Sequence, residues 1–397
     1  MRILQIHNKY LEKGGEDTVV ENERLLLKQN GHEVALCEFD NKALEGISKM
    51  ALFGKTVFNM QSYKTVINHL ETFKPDVVHI HNVFYTASPS IFYALKKKNT
   101  PSVMTIHNYR FGCIQGLLYR DDAVCQLCLD KKTAFYGIKH KCFKQSLVKS
   151  IQLSIVNRIN QLTLRYFNPI KKYIFLADFT KNLLSSALSI TDKNAIIKPN
   201  YVRDFGYSPM ADRDDFYLFV GRLNEQKGVK LLIDIFIKNK KKLEIIGAGP
   251  LEDFVKEAAL NYPNITYLGY ANNAFIVGKL KKSRGLIVPS LTYEGQPMTI
   301  LEAFSTGTPV FATNTKNLDS IVSHGENGFL FEPNNSEIFD NLDALDNRNL
   351  YINARKSYEE KYSPESNYKQ LKQIYESVLP SPPSVKRPKT HLMAESH

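Results

Sequence analysis

Residues 290–310 read SLTYEGQPMTILEAFSTGTPV, with Glu294 and Glu302 eight residues apart on either side of Pro297. Proline suits the first position of a helix, where its missing N–H removes no bond. The stretch therefore reads as a strand over 286–289, a loop carrying Glu294 and a helix carrying Glu302. Met298, Leu301, Ala303 and Phe304 form the face to be buried, and Gly307 followed by Pro309 stops the helix. Both carboxylates then crowd one helix N-terminus, a place that attracts phosphate, yet two fixed acids beside it would repel one. A ligand with charged phosphates and neutral hydroxyls resolves the conflict, because the acids can accept hydrogen bonds from the hydroxyls. A nucleotide sugar is such a ligand. Taken alone, the pair is more simply two solvated acids at a helix start.

Cations for the phosphates stand upstream, in FYLFVGRLNEQKGVKLL at 216–232, where a strand ends at Gly221 and Arg222, Lys227 and Gly228 follow before a new helix. Arginine grips a diphosphate in a bidentate way, lysine acts as a point charge, and glycine lets backbone approach closely. The surrounding chain alternates strand and helix patterns: KLEIIG, a helix from Pro250, ITYLGY, GLIVPS, PVFAT and GFLFEP. Residues 1–110 alternate likewise, through RILQIH, a helix over about 16–29 ended by Gly31, EVALCEF, DVVHIHN and SVMTIHN. The reading is an α/β chain with two doubly wound parallel sheets. The first strand runs into Gly14-Gly15-Glu16, whose amides could reach a phosphate or simply turn the chain. His79, His81 and His107 end strands, the edge where open α/β sheets bind ligands, although such a histidine is more often a packing residue.

The 397 residues carry a formal charge of +12, with 43% apolar and 23% charged side chains. That is a globular chain long enough for two cores, with an anionic partner: nucleic acid, anionic lipid or a phosphate-bearing substrate. No spacing of a nucleic-acid-reading module is present, which disfavours nucleic acid. The opening MRILQIHNKY is a buried strand rather than a secretory signal, and no apolar run approaches the roughly eighteen residues of a membrane span. A cytoplasmic protein is expected. Neither sheet opens with GxGxxG, which argues against a dinucleotide enzyme.

With GR-x4-KG, then IIGAGPLE, then VPSLTYEGQPMTILEAF in that order, the chain resembles the donor half of retaining glycosyltransferases of family four, which have the glycosyltransferase-B fold: two Rossmann-like domains facing across a cleft. The resemblance implies a nucleotide-sugar donor, UDP-linked on family frequency, and a glycan or lipid-linked acceptor in surface-polysaccharide assembly. It implies catalytic roles for His107, Arg222, Lys227 and Glu294. It implies donor contacts from Gly14, Gly15, Gly221, Gly247, Gly249, Pro250, Gly295, Gln296, Pro297, Met298 and Glu302, the last on the ribose. The family commonly has His-Asp where this chain has His107-Asn108, and a Gly-Gly-Pro-Glu type loop where this chain has 314–319. Expected boundaries are 1–200 for an acceptor-binding domain, 201–363 for the donor domain, a last helix over 364–379 crossing back, and a disordered tail over 380–397. A sugar-nucleotide epimerase or glycogen-synthase-like polymerase on the same fold stays open, as does a non-catalytic basic protein binding nucleic acid or a membrane surface.

Two segments stand outside that plan. Residues 111–145 carry Cys113, Cys125, Cys128 and Cys142. A reducing compartment disfavours disulfides, and four thiolates can hold a structural zinc; free thiols or a redox pair are the alternatives. A subset of the family has a similar cysteine-bearing insert. No cofactor is expected for catalysis itself. Over 144–167 the pattern is helical, with Val148, Ile151, Ile155, Ile159, Leu162 and Tyr166 three or four residues apart and a basic back. That stripe is read as the domain's own core face, or else as a face lying peripherally on an anionic membrane.

Overall fold

The buried strands predicted from uninterrupted apolar runs assemble into two parallel sheets, each covered by helices on both faces. The structure is a computed structural model that describes residues 1–10, 14–333, 335, 337–341 and 347–380. In the first lobe β1 (Arg2–Lys9), β2 (Glu33–Asp40), β3 (Val77–Ile80) and β4 (Ser102–Ile106) are followed by a hairpin, β5 (Tyr119–Arg120) and β6 (Ala123–Val124), then β7 (Ile170–Phe175) and β8 (Ala195–Ile197). The sheet order is β2-β1-β3-β4-β7-β8. The second lobe holds β9 (Tyr217–Val220), β10 (Leu243–Ile246), β11 (Ile265–Tyr267), β12 (Gly285–Val288), β13 (Val310–Thr313) and β14 (Gly328–Phe331) in the order β11-β10-β9-β12-β13-β14. Ile3, Leu4 and Ile6 of β1 are all fully buried, because helices cover both sides of the sheet.

In the second sheet the strand order reverses between β9 and β12, which pair directly. A crevice opens outside the carboxyl ends of strands at such a switch point. There β9 delivers Gly221 and Arg222, and β12 delivers the loop to the helix Met298–Ser305. Pro297 is the residue preceding that helix, one position earlier than expected, in an extended conformation. Gly228, with φ +66°, starts the helix Val229–Asn239; a Cβ there would lie 1.9 Å from the carbonyl oxygen of Pro289. Only glycine lets these two loops meet.

The helix Pro364–Glu376 packs Leu371, Ile374 and Tyr375 against Ile3, Leu27, Val77 and Val103 of the first lobe. It follows the helix Arg348–Ser357 and a π-helical turn, Tyr358–Tyr362. The last helix, expected over 364–379, thus runs over Pro364–Glu376. The tail expected to be disordered lies, apart from Pro380, outside the described residues.

One expectation is overturned. The helix Leu147–Tyr166 buries Ser150, Ser154, Asn157, Asn160 and Thr163 with Leu153, Val156 and Leu164, while Val148 (68% exposed), Ile151 (40%) and Tyr166 (71%) face outward. The polar stripe wins the inside position because the loop after β4 needs partners. Asn157 Nδ2 donates to the carbonyl of Arg110 at 2.5 Å, and Gln161 Nε2 to that of Phe111 at 2.6 Å. A buried carbonyl left without a donor is more costly than an exposed isoleucine. The apolar stripe read as a core face is therefore surface.

Candidate active site

Lys227 ends a short 3-10 turn, Glu225–Lys227, capped by the Asn224 side chain. The amide of Leu291 donates to the carbonyl of Gln226, tying this turn to the loop after β12. As a result Lys227 Nζ lies 2.6 Å from Glu294 Oε1, which also accepts from Ser290 Oγ at 2.5 Å. Around them is a cavity of about 460 Å³ between the lobes. The second lobe lines it with Gly221, Arg222, Lys227 and the run Glu294–Thr299, and the first lobe with Gly14, Gly15, Glu16 and His107. The lobes are in contact: a Cβ on Gly295 would be 2.8 Å from the carbonyl oxygen of His107, and one on Gly15 would touch Met298 at 3.7 Å. Tyr109 donates to the carbonyl of Glu294 at 3.2 Å, and Asn317 Nδ2 to Tyr109 at 2.6 Å.

Of the residues singled out in the sequence, Gly14, Gly15, His107, Gly221, Arg222, Lys227, Glu294, Gly295, Gln296, Pro297 and Met298 line this one cavity. Gly247, Gly249, Pro250 and Glu302 do not. Gly247 sits immediately behind it, where a Cβ would be 1.9 Å from the carbonyl oxygen of Gly221. Glu302 is one helical turn beyond Met298 and binds Asn273 Nδ2 at 2.7 Å. Burial pushes its carboxyl up to about 7, against the Asn273 bond and the charge of Arg203. The expectation that both glutamates crowd the helix N-terminus holds for Glu294 only, because four helical residues advance about 6 Å.

The Gly-Gly turn also differs from expectation. The amide of Gly14 donates to Asp17 Oδ2 at 2.7 Å, and Asp17 Oδ1 is 2.8 Å from His7 Nε2. The Gly14 amide is thus already engaged and not free for a phosphate. Sequence reasoning missed Tyr10, Glu16, Asn108, Arg110 and the 115–117 loop, which line the same cavity. The arginine three residues past a strand-end histidine was the available signal. Glu16 is the most perturbed acid in the site: burial, with the charge of Asp17, pushes it up to about 8, opposed by Arg110 and by Asn108 Nδ2 at 3.4 Å.

Behind His107 lies a buried polar chain. His107 Nε2 is 3.1 Å from His81 Nδ1, and Glu23 lies 3.5 Å from both His81 and His79. His79 also bonds Tyr375 and Thr105, each at 2.8 Å. Burial drives His107 down to about 3, so its imidazole is neutral at working pH. Glu23, His79 and His81 bring ligand atoms within 4.8 Å of one another. They do not suit a metal ion, because the ammonium of Lys198 is already 2.9 Å from Glu23 and both nitrogens of His79 are engaged.

Cys113, Cys125, Cys128 and Cys142 surround a separate cavity of about 20 Å³, the size of a single ion or water, and none forms a disulfide. Burial pushes the Cys128 thiol up to about 11, with the neighbouring sulfurs adding to it. Among the described residues no three of these sulfurs lie within 4.8 Å of one another, so the thiols gather around this space without forming a closed ligand set. The insert also braces the donor loop: Thr292 Oγ1 donates to the carbonyl of Leu117 at 2.8 Å, and Gln126 Nε2 to Tyr293 at 2.9 Å. Among the described residues no helix is long and apolar enough to cross a membrane.

The family description "Glycosyltransferase Family 4" matches residues 13–200, and "Glycosyl transferases group 1" matches residues 204–356. An uncharacterized glycosyltransferase of Methanocaldococcus jannaschii is 26% identical over 95% of this chain and 94% of its own length. An Escherichia coli UDP-Gal:alpha-D-GlcNAc-diphosphoundecaprenol alpha-1,3-galactosyltransferase is 29% identical over 63% of this chain and 67% of its own. The Anabaena protein HepE, solved in complex with UDP, superposes with a TM-score of 0.63 at 17% identity, over 95% of this chain and 100% of that one. Two parallel lobes, a cavity at the switch point and matches along nearly the whole chain lead to one conclusion: this protein is a glycosyltransferase of family four, with the two-lobed B fold.

Proposed function

We propose that the protein moves a sugar, with retention at the anomeric carbon, from a UDP-sugar to a glycan or lipid-linked glycan acceptor in surface-polysaccharide assembly at the inner face of the cell membrane. The observation that carries this reading is the convergence of Arg222, Lys227 and Glu294 from one lobe with Gly15 and His107 from the other around a single cavity. The donor diphosphate lies against Arg222 and Lys227, which stabilise its charge as it departs. Glu294 turns from Lys227 toward the sugar hydroxyls and faces the positive charge developing at the anomeric carbon. Neutral His107 exchanges hydrogen bonds with the sugar, and the nucleoside runs out past Gly247 and Gly249 so that the ribose meets Glu302. In a front-side displacement the acceptor oxygen bonds to the anomeric carbon as the bond to diphosphate breaks, and the leaving phosphate oxygen takes the acceptor proton. Closed lobes exclude water. The Escherichia coli relative's UDP-Gal donor and diphosphoundecaprenol-linked acceptor support the choice of donor and acceptor.

The four cysteines hold a structural zinc ion that cross-links the insert and takes no part in transfer. The outward apolar stripe of Leu147–Tyr166, with its lysines and arginines, rests on anionic lipid.

The test is Arg222→Ala. It is expected to lower kcat by about 100- to 1000-fold, the usual loss for one preorganised charge contact, while the thermal melt stays near that of the parent protein. Turnover of a radiolabelled UDP-sugar at the parental rate would reject the assigned site.

A further inference from the structure

Glu23, His81 and His107 stand in line, and of the three only His107 lines the interlobe cavity. Glu23 comes from the helix Gly15–Gln29, and the two histidines follow the neighbouring strands β3 and β4. The His81 and His107 rings are 20° from parallel with their centres 5.4 Å apart, close to the 3.1 Å contact plus the two ring radii. They therefore meet edge to edge, nitrogen to nitrogen, which is the arrangement of an N–H···N bond and not of a stack. One of the two nitrogens carries the proton and the other does not.

The far side of His81 decides which. Its Nε2 is buried 3.5 Å from Glu23 Oε2, which is buried too, and neither atom is bonded to anything else among the described residues. His79 Nδ1 is as near to that oxygen, but it is engaged by Tyr375 Oη at 2.8 Å. Burial opposes the charge of Glu23, yet the Lys198 ammonium, 2.9 Å from Oε1, outweighs it. Burial also holds His81 neutral. An unprotonated nitrogen facing that carboxylate would set lone pair against lone pair away from water, so the proton of His81 belongs on Nε2. Its Nδ1 is then an acceptor, and His107 Nε2 donates to it. Because His107 is neutral as well, its Nδ1 is left without a proton, and among the described residues that nitrogen has no partner. We infer that Glu23 and His81 are positioning residues that fix the tautomer of His107, so that it turns an unprotonated Nδ1 to the cavity and accepts a hydrogen bond from a hydroxyl of the donor sugar. This rests on the donor reading above and adds the direction of the bond. No proton is transferred along the chain.

The test is a two-bond proton–nitrogen correlation spectrum of the full chain carrying isotope-labelled histidine, with the His107 signals assigned by their loss in His107→Gln. A proton on Nε2 and none on Nδ1 is expected; a proton on Nδ1 overturns the inference. Turnover of a UDP-sugar supplies a second readout. His81→Leu removes the acceptor and should lower kcat/KM about 10-fold, the worth of one hydrogen bond, while UDP affinity stays within about 2-fold of the parent protein. His81→Asn, whose side-chain oxygen takes the place of Nδ1, should restore most of that loss. Equal losses in the two variants, or a matching loss of UDP affinity, would show that His81 only packs and would overturn its positioning role. The spectrum of the parent protein decides the tautomer even where His81→Leu fails to fold. UDP keeps the two readings apart: a parent protein that does not bind UDP defeats the donor reading, whereas UDP binding with a proton on Nδ1 defeats only the tautomer assignment.

Discussion

Glu16 shows how a single side chain can be set by its surroundings rather than by its type. It enters the interlobe cavity from the start of the first helix, and burial keeps its carboxyl protonated up to about pH 8. Burial thus disfavours its charged form at neutral pH, and it accepts a bond from Asn108. The stability it allows is complete below the unfolded carboxyl value of about 4.5 and is lost as pH rises toward 8, since the unfolded chain releases the proton first. Glu16→Gln should therefore raise the melting temperature by an amount close to zero at pH 4.5 that grows to a plateau near pH 8. A difference independent of pH would mean that the carboxyl ionises freely in the folded protein. Lys227 behaves differently: its side chain keeps 31% exposure beside the more buried Glu294, so water partly screens the contact and its ammonium is reachable by a ligand in the cavity.

The cysteine insert and the donor loop act as one element. Leu117 and Gln126, which lie between the cysteines in sequence, carry the bonds to Thr292 and Tyr293 immediately before Glu294. If zinc holds the insert, its removal should loosen the loop that positions Glu294. We expect the protein to contain about one zinc per chain by elemental analysis. Chelation or Cys128→Ser should lower the melting temperature and reduce kcat with a smaller change in donor affinity. A metal-free preparation with an unchanged melt and full turnover would show the thiols to be ordinary buried cysteines. The Leu147–Tyr166 helix makes the complementary point: its polar face is inside because the loop after β4 presents carbonyls there, and part of its apolar stripe faces outward.

The two lobes and the closing helix meet at Lys198. Its ammonium, fully buried in the crossing segment, lies 2.9 Å from Glu23 of the first lobe and 3.2 Å from Asn367 of the closing helix. Burial opposes ionisation of Glu23, but the ammonium of Lys198, which also hydrogen-bonds it, outweighs burial and holds its carboxyl below the usual range. Lys198→Met would leave that carboxylate buried without a counter-charge and should destabilise the protein by about 3–5 kcal/mol in a denaturant titration. A loss under about 1 kcal/mol would mean that water reaches the site. His79, His81 and His107 are all held neutral by burial. Their folded values lie below the unfolded value of about 6.5, so their contribution is intact above that pH and falls as the pH drops through it, the unfolded chain taking up the protons first. The melt should decline on acidification from pH 7 to 5, more steeply in the parent protein than in His79→Gln.

Both sheets, the strand-end placement of His107 and Arg222, and the loop-then-helix arrangement around Glu294 were legible from local pattern, because parallel strands buried on both faces are continuous apolar runs and ligand sites follow their carboxyl ends. Periodicity could not tell which stripe of the Leu147–Tyr166 helix faces inward, since that depends on carbonyls presented by a loop 47 to 50 residues earlier. Nor could spacing place Arg110 and Glu16 together. Those outcomes came from tertiary packing within the first lobe, where desolvation and the supply of partners, rather than sequence order, set each group's position and charge.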